Sequence, residues 1–184
     1  MASSQRLDTD AVRLSIVVLR AQAGDARAFG ELIECFGERT LRYLRGLLGD
    51  AAEDVYQDVW LAVYRGLRTL ANPRAFRTWL FSTTRHRALD YLRRRKRERE
   101  LTADADVDSV ADVAHDDAPI PCAELESAIA ELSPLHREVV LLRYRDEMPY
   151  AEIALVIGCS IGTVRSRLHN AKRQLEERIK RGQR

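Results

Sequence analysis

The chain has 184 residues and a mass of 21.0 kDa, enough for one domain or two small ones. Apolar residues make up 46% of it, which supplies a core and excludes wholesale disorder, while five prolines and nine glycines are too few for the many turns of an all-β sandwich. The net charge of +2 hides an uneven distribution: residues 85–99 carry eight Lys/Arg against two acids, residues 101–126 carry eight acids and no Lys or Arg, and residues 160–184 carry eight Lys/Arg against two Glu.

Two basic blocks separated by an acidic one predict two surfaces for a polyanion, joined by a segment that avoids it. The longest apolar run near the start, Ile16–Leu19, is far short of the ~20 residues that span a bilayer and too short for a secretion signal. A cytoplasmic location without membrane insertion is therefore expected. Cys35, Cys122 and Cys159 are odd in number and widely spaced, which predicts neither a disulfide framework nor a zinc site.

The first predicted helix runs from about Asp10 to Ala23, with Leu14, Val17, Val18 and Ala21 on one stripe, and Gly24 ends it. Asp25 caps a second helix with an apolar face of Phe29, Leu32, Ile33 and Phe36, continued by Leu41, Leu44, Leu47 and Leu48 up to Gly49. Asp50 and Glu53 have the spacing of a capping box and start a third helix to about Leu70, with Val55, Val59, Ala62 and Val63 inward. Asn72-Pro73 breaks the chain, and a fourth helix follows from Arg74 to about Arg97, with Phe76, Trp79, Leu80, Thr83 and Leu92 inward.

From Leu101 to Cys122 no period is sustained, and the segment reads as a linker extended by self-repulsion. The alternation of Asp104, Asp106 and Asp108 does not make a calcium loop, because Ser109 and His115 occupy the positions that need glycine and glutamate. After it come a short helix over 124–132, a helix opened by Ser133-Pro134 and running to about Tyr144, and another from Tyr150 to Ile157 behind Pro149. Gly158-Cys159-Ser160 makes a tight turn, and Ser160 caps a final helix to about Lys180. The expected fold is all-α: two small helical domains, residues 1–98 and 123–184, joined by an acidic flexible linker over 99–122.

Residues 149–175 have the shape of a helix-turn-helix. In the last helix Ile161, Val164, Leu168, Ala171, Leu175 and Ile179 form one apolar stripe, and the opposite face holds Thr163, Arg165, Ser166, Arg167, His169, Asn170, Lys172 and Arg173. Those polar types reach base edges and phosphates, and the first turns of such a helix enter the major groove. Arg165, Ser166 and His169 are placed for bases, Arg167 and Arg173 for phosphates.

The fourth helix mixes aromatics (Phe76, Trp79, Phe81, Tyr91) with cations (Arg74, Arg77, Arg85, Arg87, Arg93), a combination that suits unpaired bases where the rings are exposed and a core where they are not. The third helix differs. Asp54, Gln57 and Asp58 share a face, Trp60 and Leu61 follow, and residues 50–64 carry four acids and no cation. Such a patch suits a basic protein partner rather than DNA. His86, His115, His136 and His169 are scattered, and no phosphate-cradling glycine loop or metal motif is present, so no catalytic residue, metal, cofactor or small-molecule substrate is expected. A stand-alone DNA-binding regulator is the competing non-enzymatic reading.

In this order the pieces resemble an extracytoplasmic-function sigma factor, a member of the two-domain branch of bacterial transcription initiation factors. The resemblance rests on GDARAFGELIECF (24–36), DAAEDVYQDVWLAVYR (50–65), FRTWLFSTTRHRALDYLRRR (76–95) and, most specifically, the EIA and GTVRSRL strings within 131–175. It implies that residues 1–98 form sigma region 2, which binds core RNA polymerase and reads and melts the −10 element, and that 123–184 form sigma region 4, which reads the −35 element. Asp54, Gln57, Asp58, Trp60 and Leu61 would dock on the clamp helices of the polymerase. The loop Arg68–Phe76 with Arg74, Arg77, Arg85, His86 and Arg93 would engage the −10 strand, holding a flipped base. Ser160, Thr163, Arg165, Ser166, Arg167, His169 and Arg173 would contact −35 duplex. The linker would thread the polymerase cleft as a nucleic-acid mimic, the 134–145 helix would meet the flap, and an anti-sigma factor would hold the protein inactive. Thr83-Thr84 and His86 stand where the family usually has a small apolar pair and an asparagine, and Pro149 replaces a more usual cap.

Overall fold

The computed structural model describes residues 2–102, 125 and 127–182. The elements in chain order are α1 (Ala2–Gln22), α2 (Ala26–Leu48), α3 (Ala52–Gly66), α4 (Phe76–Thr102), α5 (Pro134–Val140), α6 (Tyr150–Ile157) and α7 (Ile161–Gly182). No strand occurs among the described residues, and no helix there is long and apolar enough to cross a membrane. The acidic segment over 103–122, with the expectations for Asp104, His115 and Cys122, lies outside the described residues. Residues 99–102, expected as the start of the linker, continue α4.

Local signals explain most boundaries. The Asp25 carboxylate accepts from the Arg27 and Ala28 amides, so α2 starts where predicted. Asn72 caps the short 3-10 turn Pro73–Ala75 that leads into α4. Two signals failed. The Asp50 side chain caps nothing, because Gly49–Ala51 form a 3-10 turn and the Glu53 carboxylate is taken by Arg45 at 2.6 Å instead of folding back. The helix opened by Ser133-Pro134 does not stay α-helical to Tyr144. Its last turn, Leu141–Arg145, widens to π geometry, with the Asp146 amide donating to the Leu141 carbonyl.

Helices α1–α4 enclose one core. Val18, Leu32, Leu44, Val55, Val59, Trp60, Val63, Phe76 and Leu80 are buried there. Phe36 meets Phe76 edge-on at 5.5 Å, which pins α2 to α4. The predicted stripes hold for Leu32, Phe36, Leu44, Val55, Val59, Val63, Phe76 and Leu80. Leu92 is a correction: it is 43% exposed, because α4 has run past the bundle by that point.

The second core lies among α5, the π turn, α6 and α7, with Val139, Leu142, Met148, Ile153, Val164, Leu168 and Ala171 buried. Ile161 does not join the stripe; it is exposed at the very start of α7. The two cores are not independent. Tyr43 of α2 and Phe81 of α4 are buried within the second cluster, their rings edge-on at 5.4 Å. Of the two alternatives for the α4 aromatics, Phe81 takes the core one, because the ring lies between the two halves.

Candidate nucleic-acid and polymerase interfaces

The helix-turn-helix is formed by α6, the turn and α7. Gly158 takes φ 73, ψ 46, a left-handed conformation that favours glycine, and closes α6 through its amide to the Ala154 carbonyl. Ser160 then caps α7: its Oγ accepts from the Thr163 amide at 3.0 Å and lies 2.9 Å from the Thr163 hydroxyl. Ser160 and Thr163 thus define the helix N-terminus. Val164, Leu168 and Ala171 hold α7 to the core, which leaves Arg165, Ser166, His169 and Arg173 exposed on the outer side. Arg165 and His169 are one turn apart on one face. The Ser166 hydroxyl donates back to the Thr163 carbonyl at 3.0 Å, so its oxygen faces outward as an acceptor. Arg167 is a departure: it is half-buried, and one terminal guanidinium nitrogen lies buried without a hydrogen-bond partner.

On α3, Asp54, Gln57, Asp58 and Leu61 are all exposed, so the acidic face with an apolar residue at its edge is real. Trp60 does not belong to it. Only 6% of Trp60 is exposed, and its ring packs edge-on to Phe29 and Tyr56 at 6.0 and 6.4 Å. The indole builds the platform beneath the face, and the expectation of a direct contact from it fails. Helical phase along α3 explains this: Trp60 falls on the Val59–Val63 side of the helix. Beside the face, Asp58 and Leu61 share a groove with Arg65, Arg87, Arg94 and Arg97, so the acidic face of α3 abuts the cationic end of α4.

The residues expected at the −10 strand divide into two groups. Arg74, His86 and Arg93 are exposed, with Arg93 ion-paired to Asp90 at 2.9 Å. Arg77 and Arg85 are occupied. Arg85 Nε donates to Glu138 Oε1 at 2.7 Å, and the Tyr43 hydroxyl donates to the same oxygen at 2.8 Å. Arg77 donates to the Asp146 carbonyl, and Arg39 Nε lies 3.3 Å from Asp146 Oδ1. Glu138 and Asp146 are 5% and 3% exposed. Burial pushes the Asp146 carboxyl up to about 6, against the pull of Arg39, Arg77 and Arg42. Burial likewise lowers the Arg77 pKa, although Glu152, Asp146 and Glu147 lie near enough to favour its charge. Neither Glu138 nor Asp146 was singled out from sequence. Glu138 sits on an apolar helix at a position that reads as solvated, and only the long-range pairing reveals it.

Comparison with known proteins places these surfaces in context. Sigma-70 region 2 matches residues 32–98, and Sigma-70, region 4 matches residues 122–175. A Caulobacter vibrioides protein, ECF RNA polymerase sigma factor SigF, is 33% identical, over 95% of this chain and 97% of its own length. A Haemophilus influenzae ECF RNA polymerase sigma-E factor is 30% identical over 89% and 93%. Among solved structures, CnrH in complex with the cytosolic domain of CnrY superposes with a TM-score of 0.67 at 26% identity, covering 91% of this chain and 97% of that one. The sigma factor RpoE bound to the anti-sigma factor NepR, from Bartonella quintana, shares the fold with a TM-score of 0.70 at 24% identity, over 84% and 98%.

Proposed function

The chain belongs to the extracytoplasmic-function sigma factors and directs promoter-specific transcription initiation by RNA polymerase; we propose that it does so with three separate surfaces whose residues can be named. The exposed face of Asp54, Gln57, Asp58 and Leu61 docks on the clamp helices of core polymerase, where an acidic patch meets a basic partner. The outer face of α7, led by Arg165, Ser166 and His169 with Arg173 behind them, reads −35 duplex in the major groove. Arg74, Arg77, Arg85, His86 and Arg93 hold the −10 strand, and melting is driven by capturing exposed bases. The protein is a specificity subunit and not itself a catalyst. It works in the cytoplasm beside the polymerase, and a protein of the anti-sigma kind restrains it.

The observation that carries this reading is the two-faced α7: a buried stripe of Val164, Leu168 and Ala171, and an opposite cationic face beginning at an N-terminus capped by Ser160 behind the Gly158 turn. The test is run-off transcription from a genomic fragment library with core polymerase alone and with the protein added. New discrete start sites that require both components are expected, and aligning them gives the two elements. Specific duplex binding by the protein alone, with no new start sites, would favour the stand-alone regulator instead.

A further inference from the structure

The first turn of α7 presents a surface that its polar residues do not account for. The Ser160 Oγ accepts from the Thr163 amide at 3.0 Å and lies 2.9 Å from the Thr163 hydroxyl, so both hydroxyls serve the cap. What the turn leaves open is Ile161, 44% exposed, and Gly162, also exposed. In helical phase Ile161 lies between Leu168 of the buried stripe and Arg165 of the outer face. It stands two turns before Leu168 and is not among the buried residues of the second core. Side chains lean toward the N-terminus of their helix, so Ile161, at the first position, projects past the end of α7. Gly162 is in phase with Ser166 and His169, at the middle of the outer face. The fold has no use for a glycine there. Its φ is not positive, and a Cβ would meet only Ser160 Oγ, at 3.6 Å, an ordinary contact. Glycine in a helix costs stability relative to alanine, and what it provides in return is close approach of the backbone to another surface.

A single exposed isoleucine is ordinary on a protein surface. This one stands at the end of a helix whose first turns enter the major groove, beside a glycine that clears the way. In that groove the apolar feature that marks a base pair is the C5 methyl group of thymine, whereas a guanidinium pairs with guanine O6 and N7. We infer that Ile161 is a specificity-determining residue of the −35 contact: it reads a thymine by its methyl group, and Gly162 lets the end of α7 sink far enough to reach it. This rests on the assignment of α7 to −35 duplex. Ile161 and Arg165 are one turn apart, roughly 6 Å along the helix, which is close to two base-pair steps of about 3.4 Å. The thymine therefore lies within about two base pairs of the base that Arg165 contacts. Burying one methyl-sized group contributes about 0.8 kcal/mol, which is roughly a fourfold preference for thymine over a base without the methyl.

The test uses the full chain assembled with core polymerase, on a promoter duplex taken from the run-off experiment. Each thymine on either strand of the −35 element is replaced in turn by deoxyuridine, which removes the C5 methyl and keeps the hydrogen-bonding edge. Affinity is read by competition against the labelled parent duplex. With the native chain, one replacement within about two base pairs of the position relaxed by Arg165→Ala should weaken binding about fourfold. Ile161→Ala should weaken binding of the parent duplex and abolish the effect of that one replacement. Ile161→Val, which keeps a branched Cβ, should retain most of it. A merely structural role for Ile161 would lower affinity on every duplex alike and leave the deoxyuridine effect in place. The inference is overturned if no sensitive thymine lies near that position, or if its effect persists in Ile161→Ala. Should Arg165→Ala also relax no position, the assignment of α7 to the −35 element falls with it; should Arg165→Ala relax one, only the role of Ile161 falls. Gly162→Ala is the second arm: it should leave the thermal midpoint unchanged or raised and weaken binding of the parent duplex several-fold, and an unchanged affinity overturns the close approach.

Discussion

Replacing Tyr43 by phenylalanine removes one oxygen from the centre of the contact between the halves. The hydroxyl is 1% exposed with its residue and donates at 2.8 Å to Glu138, a residue 95 positions away in sequence. Burial, and then the charge of Glu138, push the phenol well above its ordinary pKa, so it stays a donor through the neutral range. A hydrogen bond to a charged acceptor contributes about 1.5–3 kcal/mol net. Arg85 serves the same carboxylate oxygen at 2.7 Å, so Glu138 keeps a partner in the variant and the loss falls at the low end, about 1.5 kcal/mol. That is roughly a tenfold shift in the unfolding equilibrium. Urea unfolding of the full chain, followed by far-UV circular dichroism, should show this loss with little change in slope. A double-mutant cycle makes the assignment specific. In a Glu138→Ala background the hydroxyl has no charged acceptor, and Tyr43→Phe should cost nothing or become slightly stabilising. A loss within about 0.3 kcal/mol of zero in the native background, or an equal loss in both backgrounds, would refute the pairing as a source of stability.

Three further outcomes are expected. Asp54→Arg should abolish binding to core polymerase in a pull-down while leaving helix content unchanged, because the carboxylate is exposed on the outer face of α3; retained binding would remove α3 from the docking surface. Arg165→Ala should cost ~1–3 kcal/mol of discrimination at single positions of the −35 element, read by competition among mutated duplexes, whereas an equal loss on every sequence would mark a phosphate contact. Acidification should favour the contact between the two halves, here called the closed form, through Asp146. Its carboxyl is raised to about 6 when buried and returns toward 3.8 when exposed, so its contribution to closure is full below 3.8 and is lost as pH rises through about 6. Arg39, Arg77 and Arg42 face it, and Glu147 and Glu152 lie nearby around Arg77. Between pH 7.5 and 5.5 the closed-to-open ratio should rise roughly fourfold from this group, visible as a smaller radius of gyration in X-ray scattering; a pH response that survives Asp146→Asn would assign it elsewhere.

The fold was legible where structure is set within a few residues. Asp25, Asn72, Gly158 and Ser160 each act through a backbone group two to four positions away, and each did what its residue type predicts. The apolar stripes of α2, α3 and α7 were legible for the same reason. Failures came where a local motif had a competitor. Glu53 had the right spacing for a capping box, but Arg45, eight residues earlier, offered its carboxylate an ion pair. Trp60 followed three surface residues and read as a fourth, although its helical phase puts it with Val59 and Val63. The outer face of α7 was readable because Arg165, Ser166, His169 and Arg173 follow from the phase of the buried Val164–Leu168–Ala171 stripe, whereas the half-buried Arg167 at its border did not. The partners of Arg77 and Arg85 were not, because Glu138 and Asp146 lie 53 and 69 residues away and nothing periodic links them.

That long-range pairing follows from the chemistry of the α4 surface itself. The stripe is apolar at Phe81 and cationic at Arg77 and Arg85, so a plain apolar cover would bury the ring but leave the guanidinium groups without acceptors. A cover that buries the ring must also supply acceptors for the guanidinium groups, and Glu138 and the Asp146 carbonyl do so. Buried ion pairs of this kind add little net stability, because desolvation offsets most of their attraction. They do impose a sharp requirement: whatever displaces the cover must re-pair the arginines. A phosphate or a carboxylate satisfies that requirement, and an uncharged apolar surface does not. Burying Phe81 between Arg77 and Arg85 therefore demands acceptors from the covering half, and Glu138 on α5 and the Asp146 carbonyl on the turn after it are the groups that meet that demand.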